Sequence, residues 1–161
     1  MTDVAVTVSH PELFTAQYPP YGDGWLVTAT PDGTLTDQAT GRELYALYYE
    51  SDRLAAAHRT NDGFVVAGSG AAAFLETTLP QLGLSPRESE EFIVYWLPLL
   101  QANPYTYIRF ETAAEQAANQ VLTVTPAPGT LIRVMMEWQR LAAPGRAGFV
   151  VVEWGGTEIP G

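Results

Sequence analysis

Cysteine is absent from this 161-residue sequence, and so is lysine. Without cysteine there is no thiol nucleophile, thiolate zinc site, iron–sulfur cluster or disulfide scaffold. The redox compartment stays open, because a cysteine-free chain tolerates reducing and oxidising surroundings alike. Without lysine there is no Schiff-base chemistry, no P-loop lysine and no lysine–asparagine isopeptide crosslink. Histidine is scarce: His10 and His58 stand about fifty residues apart without HExxH spacing, so neither a histidine metal centre nor any cofactor is expected. Positive charge is also short, with eight arginines against 18 acids and a net charge of −10. Nucleic acid and anionic membrane surfaces both need clustered positive charge, which disfavours them as partners. No run reaches the roughly 20 apolar residues of a membrane helix, so membrane insertion is not expected. The start, Met1-Thr2-Asp3-Val4, shows neither the basic residues nor the apolar stretch of a signal peptide.

What is present reads as one globular domain over 1–161, of α+β class and mainly β. Val4, Val6 and Val8 alternate with small or polar residues, the period of a half-buried strand. Further strands are expected over 25–30, 44–50 and 63–67, with a tight turn at Pro31-Asp32-Gly33 and a polar loop over 51–62 that holds His58. A helical insertion follows over about 69–102. Ser69 stands where it would cap a helix over 70–82, which Gly83 stops. Ser85-Pro86-Arg87-Glu88 combines a serine cap, a first-turn proline and a capping-box glutamate. The second helix carries nine apolar residues from Phe92 to Leu100, which predicts burial on most sides, and Pro98 predicts a kink. Then come an alternating strand over 105–111, a short helix opened by the capping box Thr112–Glu115, and two closing strands over 131–138 and 149–154. Strict βα alternation is missing, so the expected architecture is an antiparallel β-sandwich or sheet with an inserted helical pair.

Several phrases in order carry a resemblance. They are Gly24-Trp25, Pro31-Asp32-Gly33-Thr34-Leu35, Tyr45 to Glu50, Gly63-Phe64-Val65-Val66, Asn103-Pro104-Tyr105, and two longer motifs. One is Glu91-Phe92-Ile93-Val94-Tyr95-Trp96-Leu97-Pro98 (EFxxYWLP); the other, Gly148-Phe149-Val150-Val151-Val152-Glu153-Trp154-Gly155-Gly156 (GFxVxEWGG). Together they resemble a domain found in many uncharacterised bacterial proteins, often secreted or surface-attached. The resemblance implies an extracytoplasmic or cell-surface setting and no particular activity.

No residue is singled out as catalytic or as a metal ligand; the candidate ligand-binding residues are Trp25, Glu91, Trp96, Tyr105, Tyr107, Arg109, Glu153 and Trp154. Glu91 and Tyr95 fall one turn apart on one helix face, beside an apolar run that would raise a carboxyl pKa. The same glutamate in a helix start is also well placed simply to favour the macrodipole. Trp154 before Gly155-Gly156 offers a flat apolar face with close backbone access, or a bulge where a strand leaves its sheet. Tyr105, Tyr107 and Arg109 share one strand face, a stripe suited to a sugar ring or a protein partner, or else to packing beneath the helices. Arg133 and Glu137 share a face and are expected to form a minor surface pairing.

Gly68-Ser69-Gly70 lies between alanines and does not match the GxSxG nucleophile elbow. The loop acids Asp23, Asp32, Asp37, Asp52 and Asp62 lack EF-hand spacing and are read as turn caps. These features point to a non-catalytic module that binds a protein or glycan through an aromatic surface. Two alternatives stand beside it: a carboxylate-dependent hydrolase of carbohydrate drawing on Glu50, Glu91, Glu137 or Glu153, and a structural spacer of a surface protein.

Overall fold

Alternating small and apolar residues near the N-terminus place one long strand, which lies inside a five-stranded sheet. The computed structural model describes residues 1–52 and 62–144. Among them are three α-helices and ten strands in three antiparallel sheets, the α+β, mainly β arrangement with a helical pair that the sequence predicts. The described chain divides into two compact units. One is drawn from Met1–Gly63 and Arg109–Glu137, the other from Phe64–Ile108 and the described residues from Trp138 onward.

In the first unit β1 (Thr2–Val8) lies between β3 (Trp25–Ala29) and β9 (Leu122–Thr125). The five-stranded sheet runs β5-β4-β3-β1-β9, with β4 at Leu35–Asp37 and β5 at Glu43–Leu44. Registers Val4↔Val27 and Val6↔Val124 align the apolar positions that the alternation marks. The turn between β3 and β4 is the expected one. Gly33 takes φ +90°, its N–H donates to the Thr30 carbonyl at 3.0 Å, and the Thr30 N–H donates to the Thr34 carbonyl at 3.0 Å. Asp32 accepts from the Thr30 hydroxyl and from the Thr34 N–H, and Asp37 from the Ala39 N–H, so both acids tie their own turns.

A two-stranded ribbon, β2 (Phe14–Tyr18) with β6 (Tyr48–Ser51), completes this unit. The single strand expected over 44–50 is in fact two, β5 and β6. The core is aromatic. Tyr21 and Trp25 are buried with Val8, and Phe14 and Tyr49 pack against them. Phe14 stacks on Tyr49 at 4.9 Å, and the Tyr21 ring meets Trp25 edge-on at 4.8 Å. The buried polar tips are satisfied: the Tyr21 hydroxyl accepts from the Val8 N–H at 2.8 Å and donates to the Val8 carbonyl at 3.2 Å.

The second unit holds the helices. Here α1 (Ala71–Thr78) packs on α2 (Pro86–Gln101), and Ala71, Leu75, Leu79 and Leu100 are buried. The three-stranded sheet has the order β10-β8-β7, with β7 at Phe64–Ala67, β8 at Tyr105–Phe110 and β10 at Met136–Leu141; the boundary between units falls within β8 and β10. Gly68 lets the approach to α1 pass against the end of α2. A Cβ there would lie 2.2 Å from the Asn103 carbonyl oxygen, and the Gly68 N–H donates to the Pro104 carbonyl at 3.1 Å.

Four expectations need correction. Ser69 does not cap α1: a 3₁₀ turn over Gly68–Gly70 leads straight into the helix, whose N-cap is Gly70. The helix is also shorter than expected, because Pro80 has no N–H for the Glu76 carbonyl, and the chain tightens into a 3₁₀ turn over Leu79–Leu82 before Gly83 stops it at φ +96°. The run from Phe92 to Leu100 is not buried on most sides. One stripe of α2 faces α1 and only Leu100 of the nine is fully buried. The strand expected over 131–138 forms instead at Met136–Leu141. Upstream of it the Arg133 carbonyl accepts from the Gln116 side chain at 3.2 Å, a bond outside any strand ladder.

The two capping boxes are present as read: Ser85 and Glu88 open α2, and Thr112 and Glu115 open α3 (Ala113–Asn119). Pro98 lies inside α2, which runs unbroken to Gln101. Strands β2, β4 and β9 go beyond those the sequence pattern predicts. The strand expected over 149–154 and most of the loop over 51–62, His58 included, lie outside the described residues.

Candidate functional site

The described candidate residues are divided between the two units: Trp25 and Arg109 belong to the first, Glu91, Trp96, Tyr105 and Tyr107 to the second. Trp25 is 3% exposed, and its indole N–H donates to the Pro19 carbonyl at 2.9 Å. It is a core residue rather than a ligand platform, because Phe14, Tyr21 and Tyr49 pack around its buried ring. Glu153 and Trp154 lie outside the described residues.

The stripe on β8 splits. Tyr105 and Tyr107 are half-buried, opposite Ala67 and Val65 of β7. Arg109 is 2% exposed and belongs to a cluster of charges in the first unit. One terminal nitrogen donates to Glu137 Oε2 at 2.9 Å, the other to Glu115 Oε1 at 2.6 Å, and Nε lies 3.5 Å from Asp62 Oδ1. Glu137 is itself buried, so its partner is Arg109 and not Arg133, whose side chain donates to the Gln120 carbonyl at 3.0 Å. The reason is desolvation: a buried carboxylate requires a charged, hydrogen-bonding neighbour, and a guanidinium supplies two parallel donors.

This cluster has a definite electrostatic state. Glu115 is held well below the usual carboxylate range, at about 2, first by the Thr112 backbone N–H and then by Arg109 and the Thr112 hydroxyl. Arg109 is pushed above its already high value by hydrogen bonds to Glu115 and Glu137. A carboxyl with so low a pKa is no general acid near neutrality, and the guanidinium binds both Glu115 and Glu137. Glu12, Asp32 and Glu88 are likewise lowered by hydrogen bonds from their own turns or caps. Among the described residues, no group of three or more histidine or acidic side chains is arranged to hold a metal ion.

The second helix presents the other arrangement. Its sequence places Arg87, Glu90, Glu91, Val94, Tyr95, Pro98 and Leu99 at helical spacing along one side. Val94 is 70% exposed, Tyr95 52% and Leu99 45%. Glu91 accepts from Arg87 Nε at 3.0 Å across one turn, in the exposed first half of the helix. Arg87, Glu90, Glu91, Val94 and Tyr95 together form an open, solvent-facing surface along this side. Trp96, half-buried on another side of the helix, has its ring edge-on to Tyr95 at 4.9 Å and 6.1 Å from Phe92. Of the sequence candidates on α2, Glu91 therefore lies on this exposed side, whereas Trp96, five residues on and about 140° around the helix, does not. Val94, Tyr95 and Leu99 are the missing members of the exposed side, hidden in the sequence within a run that reads as core.

A smaller aromatic feature lies on the ribbon of the first unit. Tyr18 and Tyr48 are cross-strand partners on its exposed side, and Tyr45, three residues before Tyr48, is also exposed. The signal was present in the sequence as alternation: Tyr49 packs into the core, which turns Tyr48 outward.

No helix among the described residues is long and apolar enough to cross a membrane. No protein-family model, no curated protein and no solved structure matches the chain.

Proposed function

We propose that this chain is a non-catalytic interaction module that binds a partner protein through the outer side of α2, in the extracytoplasmic setting that its sequence resemblance implies. The observation that carries this reading is the row Val94, Tyr95 and Leu99, three large apolar side chains that stay exposed on one well-formed helix. Contiguous exposed apolar surface marks contact sites, and a tyrosine on a rigid helix loses little entropy on docking. Covering each of these side chains contributes up to roughly 1.5–3 kcal/mol. The carboxylates add support from the other direction: among the described residues Glu12, Asp32, Glu88 and Glu115 are shifted downward, away from the raised value a general acid requires.

The test compares the wild-type chain with V94D/L99D on an array of bacterial-envelope proteins and glycans. Both positions are exposed, so the variant is expected to melt like the wild type and to lose partner binding. Undiminished binding by the folded variant would refute the reading. Glycan binding is a second reading, favoured by the exposed cross-strand pair Tyr18 and Tyr48, two rings suited to the apolar face of a sugar. Y18A/Y48A removes glycan signals on the same array if that reading holds.

A further inference from the structure

We infer that the partner segment docking on α2 is a basic amphipathic helix, an inference that rests on the reading of α2 as the binding surface. The surface has two chemically different halves. Toward the N-terminal end stand Glu90 and Glu91, both exposed, with Arg87 already engaged by Glu91. One turn on, Val94 and Tyr95 begin an apolar half that continues through Pro98 to Leu99. From Arg87 to Leu99 the stripe spans roughly 18 Å, about three and a third turns, which is the length of a short helix laid alongside.

Charge selects among the possible occupants. A second copy brings the same acidic rim and a further net charge of −10. Side by side in parallel, two such helices set Glu90 and Glu91 against their own copies; antiparallel, each sets its carboxylates against the other's apolar half. Both arrangements are costly. A helix with leucine-like residues along one side and arginine or lysine along its margin meets both halves at once. Its apolar side covers Val94, Tyr95 and Leu99, while its cations reach Glu90 and Glu91. The chain's overall negative field steers such a segment toward it from a distance.

The experiment titrates the full ¹⁵N-labelled chain with three peptide probes. One is an 18-residue amphipathic helix of leucine and arginine, one the same helix with glutamate replacing arginine, and one the leucine–arginine composition scrambled to destroy the apolar stripe. The expected result is that the first probe perturbs the amides from residue 87 to residue 99, with affinity falling at least about tenfold between low and high salt. E90Q/E91Q is expected to weaken it by about two- to tenfold, and V94D to abolish it.

Equal binding of the glutamate peptide to α2 overturns the basic-partner inference and leaves α2 as a docking surface. Equal binding of the scrambled peptide shows that charge alone acts, and overturns both. So does binding that leaves α2 unperturbed, or an absence of binding. A soluble paramagnetic probe covers the remaining occupants. If Val94 and Tyr95 are shielded from it in the free monomer, the chain covers its own surface; if they are shielded only in a concentration-dependent dimer, a second copy does. Either result overturns the inference.

Discussion

Replacing Arg109 by methionine tests whether charge pins the end of β8. The substitution keeps an unbranched side chain of similar reach and removes the guanidinium, with its bonds of 2.9 Å to Glu137 and 2.6 Å to Glu115. Glu115 is partly exposed and retains its cap to Thr112. Glu137 is only 7% exposed and is left as a buried carboxylate without its guanidinium. Breaking a buried pair in this way costs about 3–5 kcal/mol. At roughly 2–4 °C per kcal/mol for a chain of this length, Tm falls by about 6–20 °C. Thermal melts followed by circular dichroism read this directly. The double variant R109M/E137L is expected to recover most of the loss, because apolar residues of similar volume replace a buried ion pair at little cost. R109M melting within about 2 °C of the wild type would refute the reasoning, since the guanidinium would then contribute no more than an exposed surface pair.

Two further predictions follow from the same geometry. Glu115 has a folded pKa near 2, below its ordinary value, so its contribution is present above about pH 4.5 and is lost as pH falls toward 2. The Tm gap between wild type and E115Q should therefore be largest near neutrality and shrink through that window; a gap independent of pH would show that the carboxylate charge is not what stabilises. Gly68 and Gly70 form a matched pair. Gly68→Ala places a Cβ 2.2 Å from a backbone oxygen and should cost at least about 2 kcal/mol, whereas Gly70→Ala meets nothing within 4 Å and should change stability by less than about 1 kcal/mol in denaturant melts.

How much was legible in advance depended on how far each interaction reaches along the chain. The capping boxes at Ser85–Glu88 and Thr112–Glu115 and the turn at Pro31-Asp32-Gly33 were readable because their hydrogen bonds close within a few residues. Strand β9 is not marked by the sequence pattern although its own residues alternate, because what makes it a strand is pairing with β1. That edge is closed where the Val121 N–H donates to Ser9 Oγ, 112 positions away in sequence. Strand β2 is hidden for the same reason, its partner being β6.

The candidate site shows the division most clearly. Composition by itself excluded thiol, Schiff-base and metal–thiolate chemistry, because those need atoms the chain does not contain. Local pattern by itself placed the helical pair and the antiparallel, mainly β class. Whether an apolar residue is core or contact surface is a different kind of fact. Leu100 and Val94 belong to one hydrophobic run on one helix, and only the packing of α1 against a single side buries the first and leaves the second exposed. Likewise Arg109 shares an alternating face with two tyrosines in sequence. The fold gave it Glu137 from 28 residues downstream, and a charge removed from water takes the nearest opposite charge the fold supplies.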